Sequence, residues 1–338
     1  MTRGFLGSIT QSPSYSNAEK DWSITLQQST CYWYELIVNP PDFAETKIGI
    51  GTMLDTLREK VESTLEKRFI YFFASRPKVR FDTTRPPRYE FFSKKLVLHL
   101  RIGRERRRVT LKRRFCDAHG NVILPKVELS ERFIRIVYSE GSSQMYSVHD
   151  FLQVVGFAIG EPTTVHYVGI TKDPGDRPLS RKHRGIADTL YNVSNEENDF
   201  FVYINLFKVT AHANSSMHNM VFVAANAYTD EIKTDAEGAI VEGALIAYFE
   251  CASQRLNRSK ERSAFRRLLD EIAEANKIRS VVMHIEIEQP SEYFSFGSTV
   301  VPAANSHTFV FKNEGGKSQL TKLSGESELL SLLQTRDA

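Results

Sequence analysis

Apolar residues recur along this chain with two periods, and the change from one to the other marks its elements. Residues 1–30 are rich in Ser, Thr and Gln without a sustained period, which reads as a loose lead-in. Cys31 to Val38 reads as a strand, ended by Pro40-Pro41. Leu54, Leu57, Val61 and Leu65 then recur at steps of three and four, with Arg58, Glu59, Glu62 and Glu66 between them, predicting a helix over Thr52 to Phe69. From Tyr71 the period falls to two. Leu96, Leu98 and Leu100 alternate inside Lys95 to Ile102, a half-buried strand, and Val109 to Phe115 and Arg132 to Tyr138 follow suit. His119-Gly120-Asn121 supplies turn chemistry between such strands.

Beyond Arg132, strands and helices alternate. Strands are expected at Phe133 to Val137, Val165 to Ile170, Phe200 to Thr210 and Val281 to Ile287, with Thr308 to Phe311 pairing nearby. Helices are expected at Val148 to Phe157, His183 to Tyr191, Glu237 to Cys251 and Lys260 to Asn276, with a short helix or frayed tail from Ser327. The pattern implies an α+β protein in two parts. Residues 1–130 form a β-rich region with one long helix. Residues 131–338 form a second domain, with its core at about 132–258 and a C-terminal extension.

With 338 residues, two domains is the default expectation. The 41% hydrophobic and 25% charged residues are those of an ordinary globular chain. Three well-separated cysteines, Cys31, Cys116 and Cys251, indicate neither a disulfide framework nor a zinc site and suit a reducing, cytoplasmic setting. The start lacks the apolar core of a secretory signal, and no stretch is long and apolar enough to span a bilayer, so no membrane partner is expected.

The segment richest in chemistry reads Val165-His166-Tyr167-Val168-Gly169-Ile170-Thr171-Lys172, with Arg177 ten residues after the Tyr and His183 six further on. Downstream, Glu242 opens Glu242-Gly243-Ala244-Leu245-Ile246-Ala247-Tyr248-Phe249, and Asn257 follows fifteen residues after that Glu. This order and spacing resembles the GIY-YIG endonuclease family. Its second half-motif is a Tyr-Ile/Val-Gly strand leading to an Arg and a His. Its later helix carries a metal-binding Glu and, further on, an Asn. The family's first half-motif, Gly-Ile-Tyr, does not stand at its usual distance before Tyr167. Ile136-Val137-Tyr138 has the right ending but lies far upstream.

The resemblance implies a small antiparallel sheet flanked by helices and hydrolysis of nucleic-acid phosphodiesters, foremost DNA, with Mg²⁺ or Mn²⁺. Such chemistry needs an activated water, a Lewis acid and fixed positive charge at the phosphoryl oxygens. By resemblance Glu242 holds the metal and Arg177 steadies the transition state. Tyr167, with Tyr138 as candidate partner, orients or deprotonates water. Lys172 and His183 assist proton transfer or bind phosphate, and Asn257 is a supporting polar contact.

Net charge is only +3, so placement matters more than total. Arg104, Arg106, Arg107, Arg108, Lys112, Arg113 and Arg114 crowd one strand-turn-strand region with Glu105 as its single acid, and Tyr89, Phe91 and Phe92 lie just before it. Such a ribbon can track a phosphate backbone, or it can be a solvated sheet face. Two other readings therefore stay open at this point. One is a catalytically inactive nucleic-acid-binding protein on the same fold; the other is a protein-interaction module.

Overall fold

The computed structural model describes residues 2–39, 52, 55, 56, 58–60, 62–173, 184–216, 219–251, 258–287, 295–314 and 317–323. After a 3-10 turn (Gly7–Gln11) and a short helix α1 (Pro13–Ser16) comes the long strand β1 (Glu19–Trp33), then α2 (Tyr34–Val38). The described residues between 52 and 63 are helical and are designated α3. Strand β2 (Phe69–Pro77) follows. Residues 78–162 then build a separate unit. It holds β3 (Val79–Phe81), β4 (Arg88–Tyr89), β5 (Leu96–Ile102), β6 (Arg107–Arg113), β7 (Phe115–Cys116) and β8 (Val122–Ile123). The strands β9 (Lys126–Leu129), β10 (Phe133–Val137) and β11 (Ser143–Ser147) and the helix α4 (Val148–Val154) complete it. The chain then returns through β12 (Thr163–Thr171), α5 (Arg184–Asn192), β13 (Asn198–Ser215), β14 (Met220–Ala225), α6 (Asn226–Thr229), α7 (Thr234–Phe249) and α8 (Arg258–Asn276). It closes with β15 (Ile278–Glu286), β16 (Phe296–Gly297), β17 (Ser306–Glu314) and β18 (Lys317–Leu323).

The fold is α+β, but its main sheet is large. Among the described residues nine strands join it in the order β16-β12-β2-β13-β1-β15-β17-β18, with β14 on the far half of β13. Helices α7 and α8 cover one face through the largest core cluster, including Trp22, Ile24, Phe72, Leu245, Phe249 and Phe265. The other face buries Tyr34, Phe69, Tyr71, Phe73 and Ile186 beneath α2 and α5. The expected small sheet is replaced by this one because two strands from the first 80 residues enter it.

One of these strands, β1, runs through what the composition marks as a loose lead-in. It pairs antiparallel with β13 and parallel with β15. Its inward residues Lys20, Trp22 and Ile24 alternate with Asp21, Ser23 and Thr25, so apolar content is thin although the period is two. The buried Lys20 is satisfied by the Asn276 carbonyl at 2.8 Å and by Glu231 at 3.1 Å. The other strand, β2, begins at Phe69, which the helical period assigned to a helix end, and α2 takes over the second half of the expected strand Cys31 to Val38. Most of the remaining elements lie where periodicity puts them. Leu54, Leu57, Val61, Pro40-Pro41 and the tail from Ser327 lie outside the described residues.

A boundary at residue 130 does not follow the sheets. The unit within 78–162 packs its own core around Phe81, Leu98, Leu100, Ile134, Phe151 and Leu152. A buried carboxylate of the main sheet lies at its junction with this unit. Asp199, on β13, accepts the Val79 N–H at 2.9 Å and His149 Nε2 at 2.9 Å, and pairs with Arg80 at 2.9 Å. His149 in turn packs edge-on against Trp33 and Phe201. Burial works against ionisation of Asp199, but its bonds to His149, Arg80 and the Val79 amide outweigh that and hold its pKa below the ordinary value.

A depressed carboxylate pKa stabilises the fold above the unfolded-state value, near 3.9, and that contribution is lost as pH falls through the folded-state pKa. We therefore expect Asp199→Asn to cost about 2–4 kcal/mol near neutral pH, as a buried pair broken on one side. In denaturant titrations the gap to wild type should narrow below about pH 4. A gap independent of pH would show that Asp199 does not act through its charge.

Candidate functional site

Strand β12 follows β2 in antiparallel register, with Tyr167 opposite Phe73, Gly169 opposite Tyr71 and Thr171 opposite Phe69. A bulge at His166 precedes this stretch. Because successive side chains of a strand alternate, Val168 faces the α7 core while Tyr167 joins the α5 face. On that face the rings of Tyr71 and Tyr167 lie with centroids 5.9 Å apart. Two glycines allow it. A Cβ on Gly169 would sit 2.5 Å from Tyr71 Cζ and 2.8 Å from Tyr167 Cε1. A Cβ on Gly185, in the first turn of α5, would sit 2.2 Å from Tyr167 Cε2. The two phenols are thus clamped between a bare stretch of β12 and the start of α5.

Glu242 reaches the same strand from the other side. Its Oε1 accepts the Ile170 N–H at 3.0 Å. Over Thr163 and Thr164, β12 pairs with β16 on this side; at Ile170 the N–H is bound by a side chain instead. Glu242 shares a helix face with Gly238, four residues earlier. There a Cβ would sit 2.4 Å from Ile170 Cδ1. The depth of α7 is set by Glu237. This fully buried carboxylate pairs with Arg68, just before β2, and with Arg3, and accepts from the Asn226 amide. One acidic residue therefore anchors α7, and the next acidic residue along α7 stands half-buried at the strand edge.

Lys172, one residue past β12, is exposed and pairs with Asp235 in the first turn of α7 at 2.7 Å. Arg177, His183 and Asn257 lie outside the described residues. Tyr138 does not join Tyr167. It caps the β10–β11 hairpin, where its hydroxyl donates to Gln144 Oε1 at 3.1 Å and its ring packs into the separate core of the inserted unit. Its pKa is raised, by burial first and then by Tyr146 and Glu140, the opposite of what a proton acceptor needs. The residue beside Tyr167 is Tyr71, whose Phe69-Ile70-Tyr71 carries the Ile-Tyr ending. It stands 96 positions before Tyr167, so a search at short spacing passes over it.

Among the described residues, no group of three or more His, Cys, Asp or Glu is arranged to hold a metal ion. Mg²⁺ keeps most of its waters and takes further oxygens from substrate phosphate, so a site for it needs few protein carboxylates.

The basic ribbon is more compensated than its sequence suggests. Carboxylates distant in sequence reach Arg104 (Glu197, 3.2 Å), Arg107 (Glu161, 2.5 Å), Arg108 (Asp82, 3.4 Å) and Lys112 (Glu90, 2.5 Å). Arg114 donates to the Ser93 carbonyl at 3.0 Å. Arg106 and Arg113 are exposed without a carboxylate partner among the described residues. Beside the β5–β6 turn a cleft of about 490 Å³ sets Lys78, Arg80, Arg101, Arg104 and Arg106 against Glu131, Glu196 and Glu197. Its charge is mixed.

Comparison with family models, with curated proteins and with solved structures finds no match for this chain. Among the described residues no helix is long and apolar enough to cross a membrane.

Gly169 gives a direct test of this geometry. Gly169→Ala should destabilise the protein by about 1–3 kcal/mol through overpacking. In a Tyr71→Ala background part of that cost should vanish, because one of the two clashing rings is gone and Tyr167 gains room to shift. Additive costs in the double-mutant cycle would place Tyr71 away from Gly169.

Proposed function

We propose that this protein is a metal-dependent endonuclease of the GIY-YIG type that hydrolyses DNA phosphodiesters. The observation that carries the reading is the juxtaposition of Phe69-Ile70-Tyr71 with Tyr167-Val168-Gly169 on neighbouring antiparallel strands, their phenol rings in contact distance. These are the endings of the family's two half-motifs, with Phe69 where the family has Gly, brought together across the inserted unit. Glu242 reaching Ile170, three residues past Tyr167, adds a carboxylate at the same strand end. A candidate acid–base pair and a candidate metal ligand, from three elements far apart in sequence, thus meet one strand, β12, the phenols on its α5 face and the carboxylate from the α7 side.

In this reading Glu242 holds a Mg²⁺ or Mn²⁺ ion, which supplies Lewis acidity at the phosphoryl oxygens when bound. Tyr167, half-buried, would orient the attacking water and receive its proton through its hydroxyl, and the fully buried Tyr71 would position that ring from behind. Their confinement between Gly169 and Gly185 fixes the rings before substrate arrives. Lys172 contributes positive charge beside the strand end. Arg177 stabilises charge on the transferring group, and His183 and Asn257 assist, as the resemblance implies. The exposed Arg106 and Arg113 on the inserted unit add sequence-independent attraction to the DNA backbone.

Glu242→Gln keeps the size and hydrogen bonding of the side chain and removes the charge that holds a divalent ion. It should abolish cleavage of plasmid DNA in Mg²⁺ while DNA binding persists. Tyr167→Phe should lower the single-turnover rate by about 10²–10⁴-fold with the fold intact, Tyr71→Phe should lower it less, and Tyr138→Phe should not. Normal cutting by Glu242→Gln, or wild-type protein that binds DNA but never cuts it in Mg²⁺ or Mn²⁺, would overturn the nuclease reading.

A further inference from the structure

Phe91 and Phe92 occupy the turn between β4 and β5 and are 79% and 94% exposed, although each carries a large apolar ring. The exposure does not come from a slack loop. Glu90 ties the turn from several directions: its carbonyl accepts the Lys94 N–H at 3.0 Å, and its N–H donates to the Lys95 carbonyl at 2.9 Å. Its carboxylate accepts from the Ser93 hydroxyl and pairs with Lys112 at 2.5 Å. Arg114 also donates to the Ser93 carbonyl. Lys94 takes a left-handed conformation, φ 54°, to close the turn. The rings stand perpendicular at 5.1 Å and project as a braced pair.

The turn and the strands beside it carry a basic rim. Lys94 Nζ lies 5.0 Å from the Phe91 ring centroid, and Arg114 reaches the Ser93 carbonyl. Lys95 is exposed at the end of the turn, and Arg88 and Arg113 stand opposite Val97 and Leu96 on the two strands beside β5. The one acid in the turn, Glu90, is consumed by Lys112. Two exposed aromatic rings call for an apolar or π-faced partner, and the rim calls for an anionic one. A second copy of the same tip would be repelled by its own charge. Arginine forks suit phosphate, and a phenyl ring can enter a base step between two phosphate rows.

We propose that the Phe91–Phe92 turn is a stacking wedge that enters a base step of duplex DNA while the surrounding cations hold the flanking phosphates. This rests on the nucleic-acid reading above and adds to it a distortion of the substrate. The inserted unit is then a device that bends or opens the duplex as well as a source of charge.

The test uses the full-length protein in EDTA, where metal-dependent cutting is silent, with short duplexes carrying 2-aminopurine at successive positions. Wild type should raise 2-aminopurine fluorescence in the bound duplex. Phe91→Ala/Phe92→Ala should abolish that rise and weaken binding about tenfold, roughly one lost stacking contact, with its melting temperature unchanged because both rings are exposed. Phe92→Trp should retain the signal and show quenched indole fluorescence on binding. Duplex binding without any rise, or a rise that survives the double alanine change, overturns the wedge. So does binding to phosphatidylserine vesicles that depends on both rings while the duplex stays stacked. Protein that cuts DNA in Mg²⁺ without unstacking it loses the wedge alone. Protein that unstacks duplexes but never cuts them keeps the wedge and loses the nuclease assignment.

Discussion

The antiparallel ladder between β2 and β12 joins Phe69 to Thr171 and Ser75 to Thr164 across chain separations of 102 and 89 residues. Closing so long a loop adds only a slowly growing entropic cost, so an inserted unit is tolerated as long as it folds on its own core and leaves both strands free to pair. The core around Phe81, Leu98 and Phe151 meets that condition. Register matters more than length. A slip of one residue would turn Tyr167 to the α7 face and Val168 to the α5 face, separating the phenol pair. The bulge at His166 resets the register at the start of this stretch, and Gly169 beneath the Tyr71 ring is sterically compatible with one alignment.

Two acidic residues on α7 share the work of placing that helix. Glu237 is buried among Arg3, Arg68 and Asn226, and its position is determined by charge and hydrogen bonds that have no competing water. Arg68 immediately precedes β2, so this anchor ties the N-terminal half of α7 to the strand that carries Tyr71. Gly238 then lets the helix approach Ile170, and Glu242, one turn on, meets the strand edge. A fully buried carboxylate and a half-buried one are thus held at fixed separation by the helix itself.

The inserted unit shows why charge in sequence is a poor guide to charge in space. Arg104, Arg107, Arg108 and Lys112 each find an acid from another segment, which leaves Arg106, Arg113 and the rim of the Phe91–Phe92 turn as its less compensated parts. The unit is joined to the sheet through Asp199, His149 and Arg80, a polar junction with aromatic walls from Trp33 and Phe201. Such a junction fixes orientation through directional bonds, which a purely apolar contact does not.

Periodicity alone determined the β5 strand, the α4, α7 and α8 helices, and the Tyr167-Val168-Gly169 strand with Glu242 on a later helix, because these signals are local and repeat within a few residues. The role of residues 19–33 was not legible: Lys20, Asp21, Ser23 and Thr25 are polar, and only pairing with β13 and β15 gives them partners. Nor was the partner of Tyr167. Sequence proximity pointed to Tyr138, whereas backbone hydrogen bonding across the insertion selected Tyr71. Strand pairing is a non-local interaction between backbone groups common to every residue, so side-chain order along the chain carries little record of it. Tertiary structure alone decided which tyrosines meet, and which arginines find no carboxylate among the described residues.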